Sequence, residues 1–119
     1  MVIGSQERLR DIVIEFPGSA EYAYWFKTSV AETIQSAIAV QATTSGAGVG
    51  NTLQVKSGTS FNLPTTTHIN STMVVNSGTG HPLTISDASI PANSYVVLTT
   101  TAVSGTPQAL SVNIISVEN

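Results

Sequence analysis

The sequence contains no cysteine and little charge, and both shortages limit what the protein can be. Without cysteine there are no disulfides and no thiolate metal ligands, so in a protein that works outside cells burial or subunit contacts must supply the stability. Charged residues make up 9% of the 119 residues, against about a quarter in an ordinary soluble domain. A neutral, hydroxyl-rich surface is typical of exported proteins and of particle or fibre subunits, whose interfaces are also poor in charge.

Basic clusters and long apolar runs are missing as well. The net charge is −3, and phosphate binding needs clustered lysine and arginine, so we expect no nucleic-acid partner. No apolar run approaches the ~18 residues of a membrane-spanning helix. The first sixteen residues contain two arginines but no apolar signal-peptide segment, which predicts synthesis in the cytoplasm.

The charges that are present lie mainly in the N-terminal part of the chain. Eight of the eleven precede residue 33: Glu7, Arg8, Arg10, Asp11, Glu15, Glu21, Lys27 and Glu32. The chain length fits one domain. We therefore predict an N-terminal arm that includes the first strand, residues 1–16, followed by a single sandwich domain, residues 17–119.

Apolar alternation predicts strands along most of the chain. Ile12, Ile14 and Phe16 occupy every second position, and the aromatic residues that follow alternate in the same way. Short runs rich in β-branched residues, bounded by turn residues, then recur about every ten positions: Leu53–Val55, Met73–Val75, Leu83–Ile85, Tyr95–Thr101 and Leu110–Val117. The pattern predicts an all-β, antiparallel, jelly-roll-like sandwich.

Two segments fit more than one structure. In residues 29–42, Ser29 and Glu32 have the spacing of a capping box and apolar residues recur at every fourth position, which predicts a short helix. Alternation through Val40 predicts a strand instead, which we favour because everything downstream is β. The last strand has Leu110, Val112 and Ile114 on one face but Ile115 and Val117 on the other, so either a bulge lies near Ile114 or the strand end is apolar on both faces.

Candidate catalytic and metal-binding residues are few. A serine, one of the histidines His68 and His81, and Asp87 could in principle form a catalytic group, but the sequence has no Gly-x-Ser-x-Gly motif, and both histidines stand in turn-like contexts. We expect exposed loop histidines, no catalytic residue, no cofactor and no metal site, and hence no enzyme. One histidine from each of three chains on a symmetry axis remains the alternative arrangement for a metal.

The aromatic residues are concentrated near the N-terminus. Five of the seven lie between positions 16 and 26: Phe16, Tyr22, Tyr24, Trp25 and Phe26. Alternation predicts that Trp25 faces away from Tyr24 and Phe26, where it could meet a partner or a glycan. Burial of Trp25 in the core or beneath the N-terminal arm is the interpretation we favour. The candidate partner-binding residues are Arg8, Arg10, Ile12, Ile14, Phe16, Tyr22 and Trp25.

The C-terminal part of the sequence resembles a known group of proteins. Residues 75–85 (VNSGTGHPLTI) and 90–99 (IPANSYVVLT) are similar to strand pairs in sandwich domains of tailed-bacteriophage structural proteins, both capsid decoration (cement) proteins and tail or fibre heads. Subunits of bacterial spore-appendage fibres have similar sequence patterns, but they cross-link through N-terminal cysteines that this chain lacks. The resemblance covers residues 73–117 and carries over no functional residue.

The resemblance implies a non-enzymatic virion structural protein. We expect a capsid decoration protein that binds the major capsid protein and stabilises the shell, with a trimer as the expected oligomer. The charged and aromatic N-terminal part, residues 1–27, would make the contact. The alternatives are a self-polymerising subunit of an extracellular filament and a phage tail, fibre or glycan-binding module.

The expected trimer is testable by light scattering on a size-exclusion column. A decoration protein that assembles before it binds should elute with three times the chain mass. Open-ended polymers would instead support the filament alternative, and a monomer at all concentrations would contradict a preformed oligomer.

Overall fold

Strands account for all the regular secondary structure in the described part of this computed structural model, which covers residues 7–15, 20–43, 49–62, 64–75, 80–104 and 107–119. The strands are β1 (Glu7–Glu15), β2 (Ala20–Lys27), β3 (Glu32–Thr43), β4 (Val49–Gly58), β5 (Thr66–Val75), β6 (His81–Pro82), β7 (Ser89–Ile90), β8 (Tyr95–Ser104) and β9 (Pro107–Glu118). The strand expected within residues 29–42 is confirmed as β3, so the helical alternative is wrong. The described residues contain no helix that could cross a bilayer.

The strands form two antiparallel sheets that pack face to face. The first, which we call the β1 sheet, has the order β1-β9-β3-β6, and β7 also pairs with β3. The second, the β2 sheet, has the order β2-β8-β4-β5. The chain passes repeatedly from one sheet to the other, as in a double-sheet jelly roll. The predicted all-β, jelly-roll-like sandwich is confirmed.

Apolar side chains from the inner faces of both sheets form the core. The buried members are Ile34, Ala37, Ala39, Leu53, Val55, Ile69, Leu83, Ile90, Val96, Leu98, Leu110, Val112 and Ile114. Strand β9 pairs with β1 without a register shift from Glu7 opposite Val117 to Glu15 opposite Ala109. Of the two alternatives for the last strand, the structure therefore has the one that is apolar on both faces, with Ile115 on the outside.

Strand β2 departs from simple alternation at its aromatic residues. A register shift between Tyr24 and Phe26 inserts Trp25 as an extra residue opposite β8. Both Trp25 and Phe26 consequently pack against the core, and their rings meet edge to face at 5.7 Å. The predicted orientation of Trp25 away from Phe26 is wrong, because the bulge breaks the period of two. The Trp25 indole donates a hydrogen bond to the Asp11 carbonyl of β1 at 3.2 Å.

The predicted strand Leu83–Ile85 is replaced by two short strands with a bridge between them. Strands β6 and β7 both pair with β3, and Leu83 donates its N–H to the Ala37 carbonyl at 2.9 Å. Ile85 instead bridges to Ile69 at the edge of the β2 sheet. The chain between β6 and β7 therefore touches both sheets and closes one side of the sandwich.

An ion pair holds β1 to the rest of the sandwich. Arg10 on β1 binds Glu32 on β3 through both carboxylate oxygens, with Nη2 to Oε2 at 2.8 Å. Ser116 of β9, which lies between those strands, donates to Glu32 at 2.6 Å. The Arg10 guanidinium also stacks on the Phe26 ring, 3.8 Å from its centroid. The cluster thus joins three strands of one sheet to β2 of the other.

Glu32 is buried and keeps its charge within this cluster. Burial by itself raises the pKa of a carboxyl group, but hydrogen bonds from Arg10 and Ser116 and the positive charge of the arginine outweigh it. The pKa of Glu32 therefore lies below its usual value. Because the folded state holds the proton less tightly than the unfolded chain, the pair stabilises the fold above the ordinary pKa of a glutamate.

Substitution of Arg10 by Met should lower the free energy of unfolding by about 3 to 5 kcal/mol, because it leaves the buried Glu32 carboxylate without its partner. The matched control is Arg8→Met, which removes an exposed ion pair to Glu118 and should change the value by less than about 1 kcal/mol. Urea denaturation at pH 7 measures both. Equal losses in the two variants would contradict the structural role given to Arg10.

The pH dependence of the free energy of unfolding should also show the effect of the Arg10–Glu32 pair. The stability of the wild type relative to Glu32→Gln should be constant from pH 7 to about pH 5 and should then decrease as the pH falls through the lowered pKa of Glu32. Denaturation curves collected between pH 7 and pH 3 test this. A difference that grows as the pH falls would show that the sign is wrong.

Candidate interaction site

The outer face of the β1 sheet presents apolar side chains to solvent. Register places three rows of outward residues across β1, β9 and β3. The rows are Leu9, Ile115 and Ser36; Asp11, Asn113 and Ile38; and Val13, Ser111 and Val40. We call these nine residues the apolar face. The only charged side chain in these rows is Asp11.

Exposure on the apolar face is high for large aliphatic side chains. Leu9 is 66% exposed, Val13 is 61% exposed and Ile38 is 43% exposed. Gly80 lies beside Ile38, where a Cβ would come within 3.3 Å of the Ile38 Cγ2 atom. The glycine thus lets the chain pass close to Ile38 without a side chain that would crowd it. Polar residues, among them Asp11 and Asn113, lie between these aliphatic side chains. Several large exposed aliphatic side chains on one face make it a candidate interaction site.

The candidate arginines are engaged within the chain. Arg10 belongs to the buried pair with Glu32 described above. Arg8 forms an ion pair with Glu118, with its side chain 43% exposed. Because side chains alternate along a strand, Arg8 lies on the same side of β1 as Arg10 and on the side opposite Leu9, so neither arginine belongs to the apolar face.

The candidate apolar residues divide between the two sides of the sandwich. Ile12, Ile14 and Trp25 pack against the core, and Tyr22 lies on the outside of the β2 sheet. Phe16 falls outside the described residues. The structure therefore does not gather the candidates into one surface.

Sequence reasoning missed Leu9 and Val13, the most exposed large apolar side chains among the described residues. The signal was present in the alternation itself. Ile12 and Ile14 define one face of the first strand, so Leu9, Asp11 and Val13 must lie on the other. The alternation therefore already predicts aliphatic side chains, Leu9 and Val13, on the outer face of the first strand.

The outside of the β2 sheet has a different composition. Tyr22, Tyr24 and Tyr95 project from β2 and β8, and Phe61 from the β4–β5 connection packs on the first two, with ring centroids 5.4 and 5.5 Å apart. The Tyr22 hydroxyl donates to the Phe61 carbonyl. The Lys27 ammonium lies 5.0 Å from the centre of the Tyr95 ring. We call these five residues the aromatic face.

His68 belongs to a buried hydrogen-bonded group. Its Nδ1 lies 2.8 Å from the Asp87 carbonyl and its Nε2 lies 2.6 Å from the Ser57 hydroxyl. A carbonyl can only accept, so Nδ1 carries the proton and Nε2 accepts from Ser57. Both side chains are buried, so this serine–histidine pair has no access to a substrate. We expected both histidines to be exposed loop residues. For His68 this is wrong, because it is a buried residue of strand β5. His81 is exposed as expected, but it belongs to strand β6 and not to a loop.

Metal-ligating side chains do not cluster in the described residues: no group of three or more His, Asp or Glu has a suitable arrangement. His81 is exposed on β6. The described residues thus form two exposed outer faces and a buried polar group that stabilises the fold.

Substitution of Ser57 by Ala should lower the free energy of unfolding by about 1 to 3 kcal/mol, because it leaves the buried Nε2 of His68 without a donor. Exposed Ser29 offers a matched control, since Ser29→Ala should change stability by less than about 0.5 kcal/mol. Thermal and urea unfolding measure both variants. A neutral effect of Ser57→Ala would contradict the buried hydrogen bond.

Comparison with known proteins gives matches only at the level of structure. No family model matches the sequence, and no curated protein matches it significantly. The whole chain superposes on 89% of a chain from the cyanophage Pam1 capsid asymmetric unit, with a TM-score of 0.63 and 16% identity. It also aligns over 97% of its length with 34% of the chain in the infectious bursal disease virus VP2 subviral particle, with a TM-score of 0.47 and 11% identity. The Pam1 likeness shows that this chain shares a jelly-roll-like fold with a viral capsid chain, which confirms the resemblance inferred from the sequence at the level of the fold.

Proposed function

We propose that this protein is a non-enzymatic structural component of a virion, namely a capsid decoration protein that binds the major capsid protein and stabilises the shell. The observation that carries the proposal is an exposed apolar face on a fold shared, over the whole chain, with a chain of the cyanophage Pam1 capsid asymmetric unit. The protein would be made in the host cytoplasm and would bind to the particle there.

The extent of the structural match supports a small, separate capsid component. The alignment spans all of this chain and 89% of the Pam1 chain, so the two chains have nearly the same length. A single sandwich of this size can add to a shell that other subunits build. Because the protein would bind the assembled shell and not its dissociated subunits, its binding would shift the assembly equilibrium toward the shell.

The apolar face supports the mode of attachment. Burial of Leu9 and Val13 against a partner would contribute about 1 to 2 kcal/mol each, since more than half of each side chain is exposed in the chain by itself. None of the described candidates proposed from sequence belongs to this face, while Arg10 and Trp25 support β1 from its inner side.

The filament alternative receives less support from the topology. It requires the arm or the last strand to complete a neighbour's sheet. Strand β9 pairs with β1 on one side and β3 on the other, so its backbone groups are already bonded. Strand β1 lies at the edge of its sheet, but its charged residues, Glu7 to Asp11, oppose pairing with another chain.

The first experiment asks where the protein is found. Particles purified from cells that carry the encoding genome should contain the chain in a constant, high ratio to the major capsid protein, as measured by quantitative mass spectrometry. Cryo-electron microscopy of the same particles should place it on the outside of the shell. Absence from the particles, or a location restricted to the tail, would contradict a decoration role.

The second experiment tests the apolar face. Purified Leu9→Ser/Val13→Ser protein should bind shells that lack the endogenous protein at least ten times more weakly than the wild type, because most of the buried apolar area is lost. Val30→Ser is the matched control, because Val30 is exposed elsewhere, and it should bind as the wild type does. Co-sedimentation with shells gives the affinities, and equal binding by the double variant and the wild type would refute this attachment site.

A further inference from the structure

A second surface, on the opposite side of the sandwich, has the composition of a ligand site. The two sheets pack through their inner faces, so the aromatic face and the apolar face point in opposite directions. A protein attached to a shell through the apolar face would present the aromatic face to the surroundings. The observations on the aromatic face are independent of that attachment.

Its rings are held in place before any ligand arrives. Phe61 contacts both Tyr22 and Tyr24, and Tyr24 also contacts Tyr95 at 6.2 Å. The hydrogen bond from Tyr22 to the Phe61 backbone fixes the β4–β5 connection over the sheet. Preorganised rings lose little conformational freedom on binding, which increases affinity.

The side chains of the aromatic face cover an apolar residue on the outside of the β2 sheet. Val97 of β8 pairs with Tyr24 on one side and with Lys56 on the other. It is fully buried although its side chain does not belong to the core between the sheets. The outward side chains around it must therefore cover it. Tyr22 and Tyr24 nevertheless keep 47% and 42% of their surface exposed.

Hydrogen-bonding side chains lie in one row beside the rings. Register continues the row of Tyr22 through Thr99, Gln54 and Asn70. Such amides and hydroxyls can donate to and accept from the hydroxyl groups of a sugar. A pyranose ring has an apolar C–H face that packs on aromatic side chains and a polar rim that needs these partners.

The charge of this surface has one sign. Lys27 and Lys56 lie on the outer side of the β2 sheet, and none of its described outward side chains is a carboxylate. Two ammonium groups beside an aromatic layer complement a ligand that carries a carboxylate or a sulfate. We propose that the aromatic face, with Lys56, binds an acidic saccharide, with the sugar ring on Tyr24 and Tyr22 and its anionic group near the lysines.

Isothermal titration with three matched ligands tests the chemistry. Trigalacturonate has three rings and three carboxylates, maltotriose has three rings and no charge, and triaspartate has carboxylates but no sugar ring. Oligosialic acid and a sulfated oligosaccharide extend the acidic sugars. At least one acidic saccharide should bind about ten times more tightly than maltotriose and triaspartate. No binding by any acidic saccharide, or equal binding of triaspartate or of maltotriose, would overturn the proposal.

Variants test the location. Tyr24→Ser and Lys27→Gln/Lys56→Gln should each weaken binding of the acidic saccharide about tenfold, because one removes the packing surface and the other removes the charge. Leu9→Ser, on the opposite face, should bind as the wild type does, and unfolding curves should show that all variants are folded. Unchanged affinity in Tyr24→Ser would overturn the site. The titration uses the purified chain without shells, so its outcome is separate from that of the particle experiments.

Discussion

The contact between Arg10 and Glu32 is the interaction on which the arrangement of the surfaces depends. Strand β1 lies at the edge of its sheet and pairs only with β9 in the described structure. The ion pair crosses β9 to β3 and, through Phe26, reaches the second sheet. It fixes which side of β1 turns inward. Because successive residues of a strand point to opposite sides, holding Arg10 inside directs Leu9 and Asp11 to the outside.

The shortage of charge matches the composition of the two outer faces of the sandwich. A monomer in water keeps its surface charged, because charge opposes association. Here the outer side of one sheet carries exposed aliphatic residues such as Leu9 and Val13, and the outer side of the other carries a layer of aromatic rings. Both compositions suit binding better than solvation. The charges that remain near the N-terminus mostly serve internal contacts, as Arg8 with Glu118 and Arg10 with Glu32 do.

Local pattern predicted most strands because their side chains alternate with a period of two, and it failed where the chain breaks that period. At Trp25 a bulge turns two successive aromatic residues toward the core. At Leu83–Ile85 the apolar pattern is real, but Leu83 enters the core while Ile85 bridges to the opposite sheet, so no regular strand forms. At His68 the turn-like context hid a buried hydrogen bond to Ser57, a residue on the neighbouring strand. Each failure comes from a contact between residues that are distant in the sequence or from an inserted residue.

The sequence by itself determined the class of fold and the kind of surface. Alternation dictated strands, the absence of cysteine left burial as the source of stability, and the low charge predicted a protein that meets partners. Only the tertiary structure decided which residues are exposed on the outer faces of the two sheets. The reason is that exposure depends on how strands pair and how sheets pack: Ile12 and Val13 are adjacent aliphatic residues, yet one packs against the core and the other lies 61% exposed on the apolar face.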